Sequence, residues 1–208
     1  MASKSIERAT TIFRTHNGYL RTSEAIRLGI APRTLYTMRD RSLLEQVSRG
    51  IYRLTELPEL ANPDLVTVAL RIPKGVICLI SALAFHNLTT QIPHQIDVAL
   101  PQHSAKARLD YPPLRFFWLS SSPLRGASSY EAGIEEHLLD NVPVRIYSVE
   151  KTIADCFKFR HQIGQNVALE ALKDYFISRR FQIELLLNYA RINRVERIMR
   201  PYMEALII

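Results

Sequence analysis

The side chains best suited to chemistry lie in one stretch, GYLRTSEAIRLGIAPRTLYTMRDRSLLEQVSRGIYRL, from Gly18 to Leu54. Arg33 offers a guanidinium fork that can bond a guanine edge through two nitrogens, and Thr37 a hydroxyl and a methyl that suit several bases. Tyr36 lies beside them on the same projected helix face. Arg21, Arg39, Arg41, Arg49 and Arg53 have the charge and reach to hold phosphates or to enter a minor groove. Reading base edges while clasping a phosphate backbone is the chemistry of binding duplex DNA, and it breaks no covalent bond.

Such contacts need a scaffold, and the spacing predicts a winged helix-turn-helix. Thr22 to Leu28 reads as a short helix with Thr22 or Ser23 as its N-cap. Gly29 stops it in the left-handed conformation that a sharp turn needs. Ile30 plugs the corner, and Pro32 can open a new helix without losing a backbone bond. Ala25, four residues before Gly29, and Leu35, six after it, let two helices cross closely. On the second helix, Pro32 to Arg41, a rotation of about 100° per residue turns Leu35 and Met38 inward and Arg33, Tyr36, Thr37 and Asp40 outward. LLEQVSRGIYRL then predicts two short strands joined at Ser48-Arg49-Gly50, a wing with Arg49 at its tip. A plain helical hairpin with a polar outer face shares much of this spacing; the wing and the charge separate the two readings.

The formal net charge of +7 is unevenly spread. Residues 1–54 hold 10 Lys/Arg against 4 Asp/Glu, residues 55–178 hold 11 against 13, and residues 179–208 hold 6 against 3. The surplus therefore sits on the predicted winged helix, where a polyanion would dock. A smaller one at the carboxyl end includes Arg191, Arg194, Arg197 and Arg200, which recur every three residues. That stripe reads either as a solvated helix face or as a second basic contact for DNA or an acidic protein.

Catalytic patterns are absent. A metal site needs clustered Cys, His or carboxylate ligands, and the six histidines are scattered. Neither Cys78 nor Cys156 has a CxxC partner; both sit in apolar surroundings and read as buried thiols of a reducing cytoplasm. There is no Gly-rich phosphate loop and no GxSxG elbow. A metal-dependent nuclease would need converging carboxylates and a lysine near the attacking water. Asp97 and the Glu150-Lys151 pair are the nearest approach, and Glu150 is better explained as complementing a helix dipole. The expectation is a non-enzyme with no cofactor and no metal.

With 47% hydrophobic and 23% charged residues, the chain has the composition of an ordinary globular protein. No apolar run is of membrane-spanning length, and MASKSIERATT lacks a signal peptide's apolar core, so a cytoplasmic protein is expected. Ser5 to His16 predicts a helix with Ile6, Ala9, Ile12 and Phe13 on one stripe. Leu57-Pro58 and Asn62-Pro63 then break the pattern. This places a DNA-binding domain at 1–56 and a mixed α/β domain with a helical tail at 57–208, an α+β chain overall. In the second domain, Pro63 to Arg71 and Cys78 to Leu88 read as helices, QIDVAL and LRFFWL as strands, and Gly133 to Leu138 with Val142 to Tyr147 as a hairpin turning at Asp140-Asn141. Ser148 caps a predicted helix reaching Phe159, with Lys151, Lys158 and Arg160 expected on its outside. Helical segments near 165–178, 182–192 and 194–207 follow.

GYLRTSEAIRLGIAPRTLYTMRDRSLLEQVSRGIYRL, HQIDVALP and VPVRIYSVEKTIADCFKFRHQIG, in this order and spread over nearly all of the chain, resemble the AbiEi antitoxin family of type IV toxin–antitoxin systems. The resemblance implies an amino-terminal winged helix that binds inverted repeats in its own promoter and represses it. It further implies a carboxyl-terminal domain that supports cooperative binding through self-association on DNA and neutralises a nucleotidyltransferase-like toxin, as part of abortive-infection defence against phage. A stand-alone winged-helix regulator answering to a small molecule is the alternative, and a DNA nuclease the third.

Overall fold

The computed structural model describes residues 2–122, 128–178 and 181–207. The chain is α+β and divides into two compact units, Met1–Leu70 with Leu138–Val142, and Arg71–His137 with Pro143–Ile208.

The first unit contains α1 (Ala2–Thr15), β1 (Tyr19–Arg21), α2 (Thr22–Arg27), α3 (Pro32–Asp40), β2 (Leu44–Ser48) and β3 (Ile51–Leu54), followed by α4 (Pro63–Arg71). The stripe expected on α1 turns inward: Ala9 and Phe13 are buried with Leu20, Ala25, Ile30, Leu35, Met38, Leu44, Tyr52 and Leu54, and Ile6 and Ile12 pack at the margin. Full burial of each larger apolar side chain contributes about 1.5–3 kcal/mol. Gly29 has φ +86°, the left-handed value its place between two helices requires. The Ile30 N–H closes the turn on the Ala25 carbonyl at 2.9 Å. Pro32 opens α3, as the spacing predicted. The cap of α2 differs from expectation: neither Thr22 nor Ser23 is the N-cap. That position falls to Arg21, whose backbone N–H donates to the Glu24 carboxylate at 3.1 Å.

Three strands form one antiparallel sheet in the order β1-β3-β2. The β2–β3 hairpin was legible; β1 was not, since three residues carry no periodicity. It pairs Tyr19 with Arg53, Leu20 with Tyr52 and Arg21 with Ile51. This makes β3 a central strand, and all four of its residues are buried.

A five-stranded mixed sheet, in the second unit except for Leu138–Val142 at the β7–β8 turn, comprises β4 (Val76–Ile77), β5 (Ile96–Pro101), β6 (Leu114–Leu119), β7 (Ile134–Leu139) and β8 (Val142–Tyr147), ordered β6-β5-β4-β8-β7. β5 runs parallel to β6 and β4 parallel to β8, while β4 and β5 are antiparallel. Asp140 and Asn141 turn the β7–β8 hairpin at φ +49° and +63°, a two-residue turn of the expected composition. The helices are α5 (Leu79–Phe85), α6 (Val149–Lys158), α7 (Arg160–Ile163), α8 (Gln165–Ile177), α9 (Ile183–Ile192) and α10 (Glu196–Ile207). Ser148 caps α6, its hydroxyl accepting from the Lys151 N–H at 3.3 Å. The core runs from Val76, Ala99 and Phe117 on the sheet to Ala154, Phe157, Leu172, Leu186 and Met199 on the helices. Cys78 and Cys156 are free, buried thiols within it, and burial pushes both well above the usual thiol range. Among the described residues no helix is long and apolar enough to cross a membrane.

Candidate nucleic-acid interface

Helix α3 separates its residues cleanly. Leu35 and Met38 are fully buried, while Arg33, Arg39 and Asp40 are exposed and Tyr36 keeps 49% of its surface in solvent. Thr37 is half-buried, and its hydroxyl donates to the Arg33 carbonyl at 2.8 Å. That bond takes its one proton, so towards solvent the side chain has a methyl and acceptor lone pairs to offer. Arg41 is exposed just past the helix, and Arg49 is exposed at the hairpin turn beside Gly50. The turn is tied to the start of α2, because the Thr22 N–H and hydroxyl both donate to the Gly50 carbonyl, at 2.9 and 3.3 Å.

Two arginines expected on phosphates are committed elsewhere. Arg53 is only 3% exposed. It forms an ion pair with Glu45, its cross-strand partner, and donates to the carbonyls of Leu57 and Pro58 at 3.1 and 2.8 Å. It was expected on a phosphate or in the minor groove; the Leu57-Pro58 segment that follows β3 supplies carbonyls to its guanidinium instead, with Glu45 opposite on β2. Burial also pushes the Tyr19 phenol up, with the neighbouring Arg53 cation opposing. Arg21 is half-buried and donates to the Leu70 carbonyl, so its guanidinium ties α4 down within the first unit. Arg39 is exposed but engaged. Its Nε and Nη2 both donate to Oδ1 of Asp40, at 3.1 and 2.8 Å, and its guanidinium carbon lies 5.4 Å from the centre of the Tyr36 ring.

In the second unit the four arginines of the carboxyl-terminal stripe are all exposed, although they do not share one helix. Arg191 ends α9, Arg194 sits in the intervening turn at φ +60°, and Arg197 and Arg200 lie on α10. Glu196 pairs with Arg191 at 3.3 Å and Arg200 at 2.8 Å.

Lys151 corrects the reading of α6. It is fully buried, not outside, with Nζ 2.6 Å from both Asp155 oxygens and 4.1 Å from the Tyr147 ring centre. Asp155 also accepts from Asn193 at 2.7 Å, and Asn193 accepts from Ser129 at 2.8 Å. Lys158 is half-buried and donates to Ser129 at 3.2 Å; burial, above all, pushes its amine down. Glu150 is buried and accepts from the Tyr175 hydroxyl at 2.8 Å. Asp97 is 1% exposed, with one oxygen accepting from Arg115 at 2.8 Å and the other from Arg115 and the Ile80 N–H at 2.9 and 3.1 Å. His86 is a satisfied structural residue, 2.8 Å from the Tyr147 carbonyl. Among the described residues there is no group of three or more His, Cys, Asp or Glu that could hold a metal. A shallow groove of about 560 Å³ opens at the start of α9, lined by Gln182, Ile183, Glu184, Leu185 and Asn188.

Sequence reasoning missed two features of the first unit, the Tyr36–Arg39–Asp40 assembly and the Thr22–Gly50 tie. The first had a signal, since residues three apart on a helix are neighbours. The second had none, because β1 was not foreseen. Residues 7–55 match the model of a family described as a transcriptional regulator, AbiEi antitoxin. VPVRIYSVEKTIADCFKFRHQIG lies outside the matched residues. No curated protein matches the chain.

Proposed function

From an amino-terminal segment that matches the AbiEi antitoxin regulators, we infer that this chain is a winged-helix repressor of its own promoter and the antitoxin of a type IV toxin–antitoxin pair. Helix α3 enters the major groove, with Arg33 on a base edge, Tyr36 and the Thr37 methyl beside it, and Arg41 on the backbone. The β2–β3 hairpin is the wing, and Arg49 reaches a phosphate or the minor groove. The second unit does no covalent chemistry; it supports pairing of two copies on an inverted repeat and holds a nucleotidyltransferase-like toxin. Double-stranded DNA, a second copy and the toxin are the partners, in the cytoplasm.

The observation that carries this reading is the exposed face of α3: an arginine and a tyrosine held outward by a fully buried Leu35 and Met38, in the part of the chain with the largest positive surplus. The test is a gel-shift titration with the DNA upstream of this reading frame. Wild type should prefer it over a scrambled duplex, and Arg33→Ala should weaken binding roughly 5- to 150-fold and blur one base position. Equal binding of wild type to promoter and scrambled DNA would overturn the assignment. Co-expression with the adjacent reading frame should yield a stable complex if the antitoxin half holds.

A further inference from the structure

We propose that Arg39 acts as a positioning residue for Tyr36 on the DNA-reading face and makes no phosphate contact of its own. The inference rests on the reading of α3 as a recognition helix and deepens it. Arg39 and Tyr36 stand three residues apart on α3 and are therefore neighbours on its surface. The guanidinium lies 5.4 Å from the ring centre, within the range of a cation–π contact. It is held there by two bonds to a single oxygen of Asp40. Both the pair and the ring are partly exposed, with 44% and 64% of the Arg39 and Asp40 side chains in solvent and 49% of Tyr36.

The charge balance is what separates this role from that of an ordinary phosphate anchor. An arginine whose charge is answered by an adjacent carboxylate offers a phosphate little net attraction. Moving it to a phosphate would also leave Asp40 facing the DNA backbone without its counter-ion. The planar guanidinium instead supplies a flat surface against which the Tyr36 ring is confined. A tyrosine with fewer orientations to lose pays less entropy when it meets a base, and the difference is felt only on the sequence it fits. Arg39 therefore contributes to discrimination between sequences, and Asp40 serves to hold it.

The test measures binding of wild type, Arg39→Gln, Arg39→Lys and Tyr36→Ala to promoter and scrambled duplexes by fluorescence anisotropy over a range of salt. Far-ultraviolet circular dichroism serves as the folding check. Loss of the exposed cation–π contact should lower the promoter-to-scrambled ratio of Arg39→Gln about 2- to 5-fold. In Arg39→Gln/Asp40→Asn, measured alongside so that the pair is removed with no change of net charge, the slope of log affinity against log salt should stay at the wild-type value, because no phosphate contact is removed. Arg39→Lys, which keeps the charge but loses the flat fork, should fail to restore the ratio. Adding Arg39→Gln to Tyr36→Ala should change it no further. A salt slope reduced by about 1 in the charge-balanced double variant, with equal loss on both duplexes and rescue of Arg39→Gln by lysine, would identify a phosphate contact and overturn the inference. A wild type with no preference for the promoter would instead overturn the recognition-helix reading beneath it.

Discussion

In α3 the charged residues Arg33, Arg39 and Asp40 are exposed, whereas in α6 Glu150, Lys151 and Asp155 are buried. Both helices keep an apolar stripe inside: Leu35 and Met38 in the first, Ile153, Ala154, Cys156 and Phe157 in the second. The difference lies in how the charges are answered. In α6 each finds a partner inside the protein, Lys151 on Asp155, Asp155 on Asn193 and Glu150 on Tyr175. In α3 the Arg39–Asp40 pair is local, and Arg33 faces solvent. Charge satisfied internally fixes a structure; charge displayed outward is available to a ligand. A charged side chain in the sequence carries no mark of which use it serves.

The largest effect should come from breaking the α6 arrangement. Lys151→Met leaves Asp155 buried without its cation, and removal of one partner of a buried pair costs about 3–5 kcal/mol. Chemical denaturation should show this loss, and Lys151→Met with Asp155→Leu should recover part of it, since an apolar pair of similar volume leaves no buried charge. An unchanged midpoint for the single variant would place the pair in contact with water. For α3 the comparison predicts the opposite profile: Arg33→Ala should lose promoter affinity while its stability stays within about 0.5 kcal/mol of wild type. Arg49→Ala should be milder, weakening all duplexes alike and lowering the salt slope by about 1.

The smallest effect should come from Arg14 and Glu56, whose exposed pair is bidentate at 2.8 Å. The Arg14 hydrogen bonds hold the Glu56 carboxyl below the usual glutamate range. A depressed folded-state value means that the pair's contribution is complete above the ordinary glutamate range and fades as pH falls through the depressed one. Melting curves of wild type and Glu56→Gln should therefore converge on acidification, and also in high salt.

Much of the first unit was legible because its turn chemistry and its helical periodicity agree. Gly29, Ile30 and Pro32 each serve the role that their types and spacing suggested, and Ala25 and Leu35 are buried in one core. Arg53 shows where this ends: its type suits a phosphate, and only the nearness of the Leu57 and Pro58 carbonyls and of Glu45 across the sheet takes its charge inward. Lys151 shows a second limit. A lysine and an aspartate four apart beside Ile153 and Ala154 fit a buried pair as well as a solvated one, and only the packing of α9 and its Asn193 against α6 decides. The four arginines near the carboxyl end looked like one stripe because helical spacing runs through them; Arg194 at φ +60° interrupts the helix and divides them.

The Gly50 carbonyl, held by both hydrogen-bonding groups of Thr22, makes the hairpin turn and the entry to α2 a single piece. With Ala25 packed in the same core as Leu35, the gap between the outer face of α3 and Arg49 is set before anything enters it. Swinging the hairpin away from α2 would break both bonds. On the proposed reading, a duplex would meet an opening of preset width and be sorted by groove shape as well as by its bases.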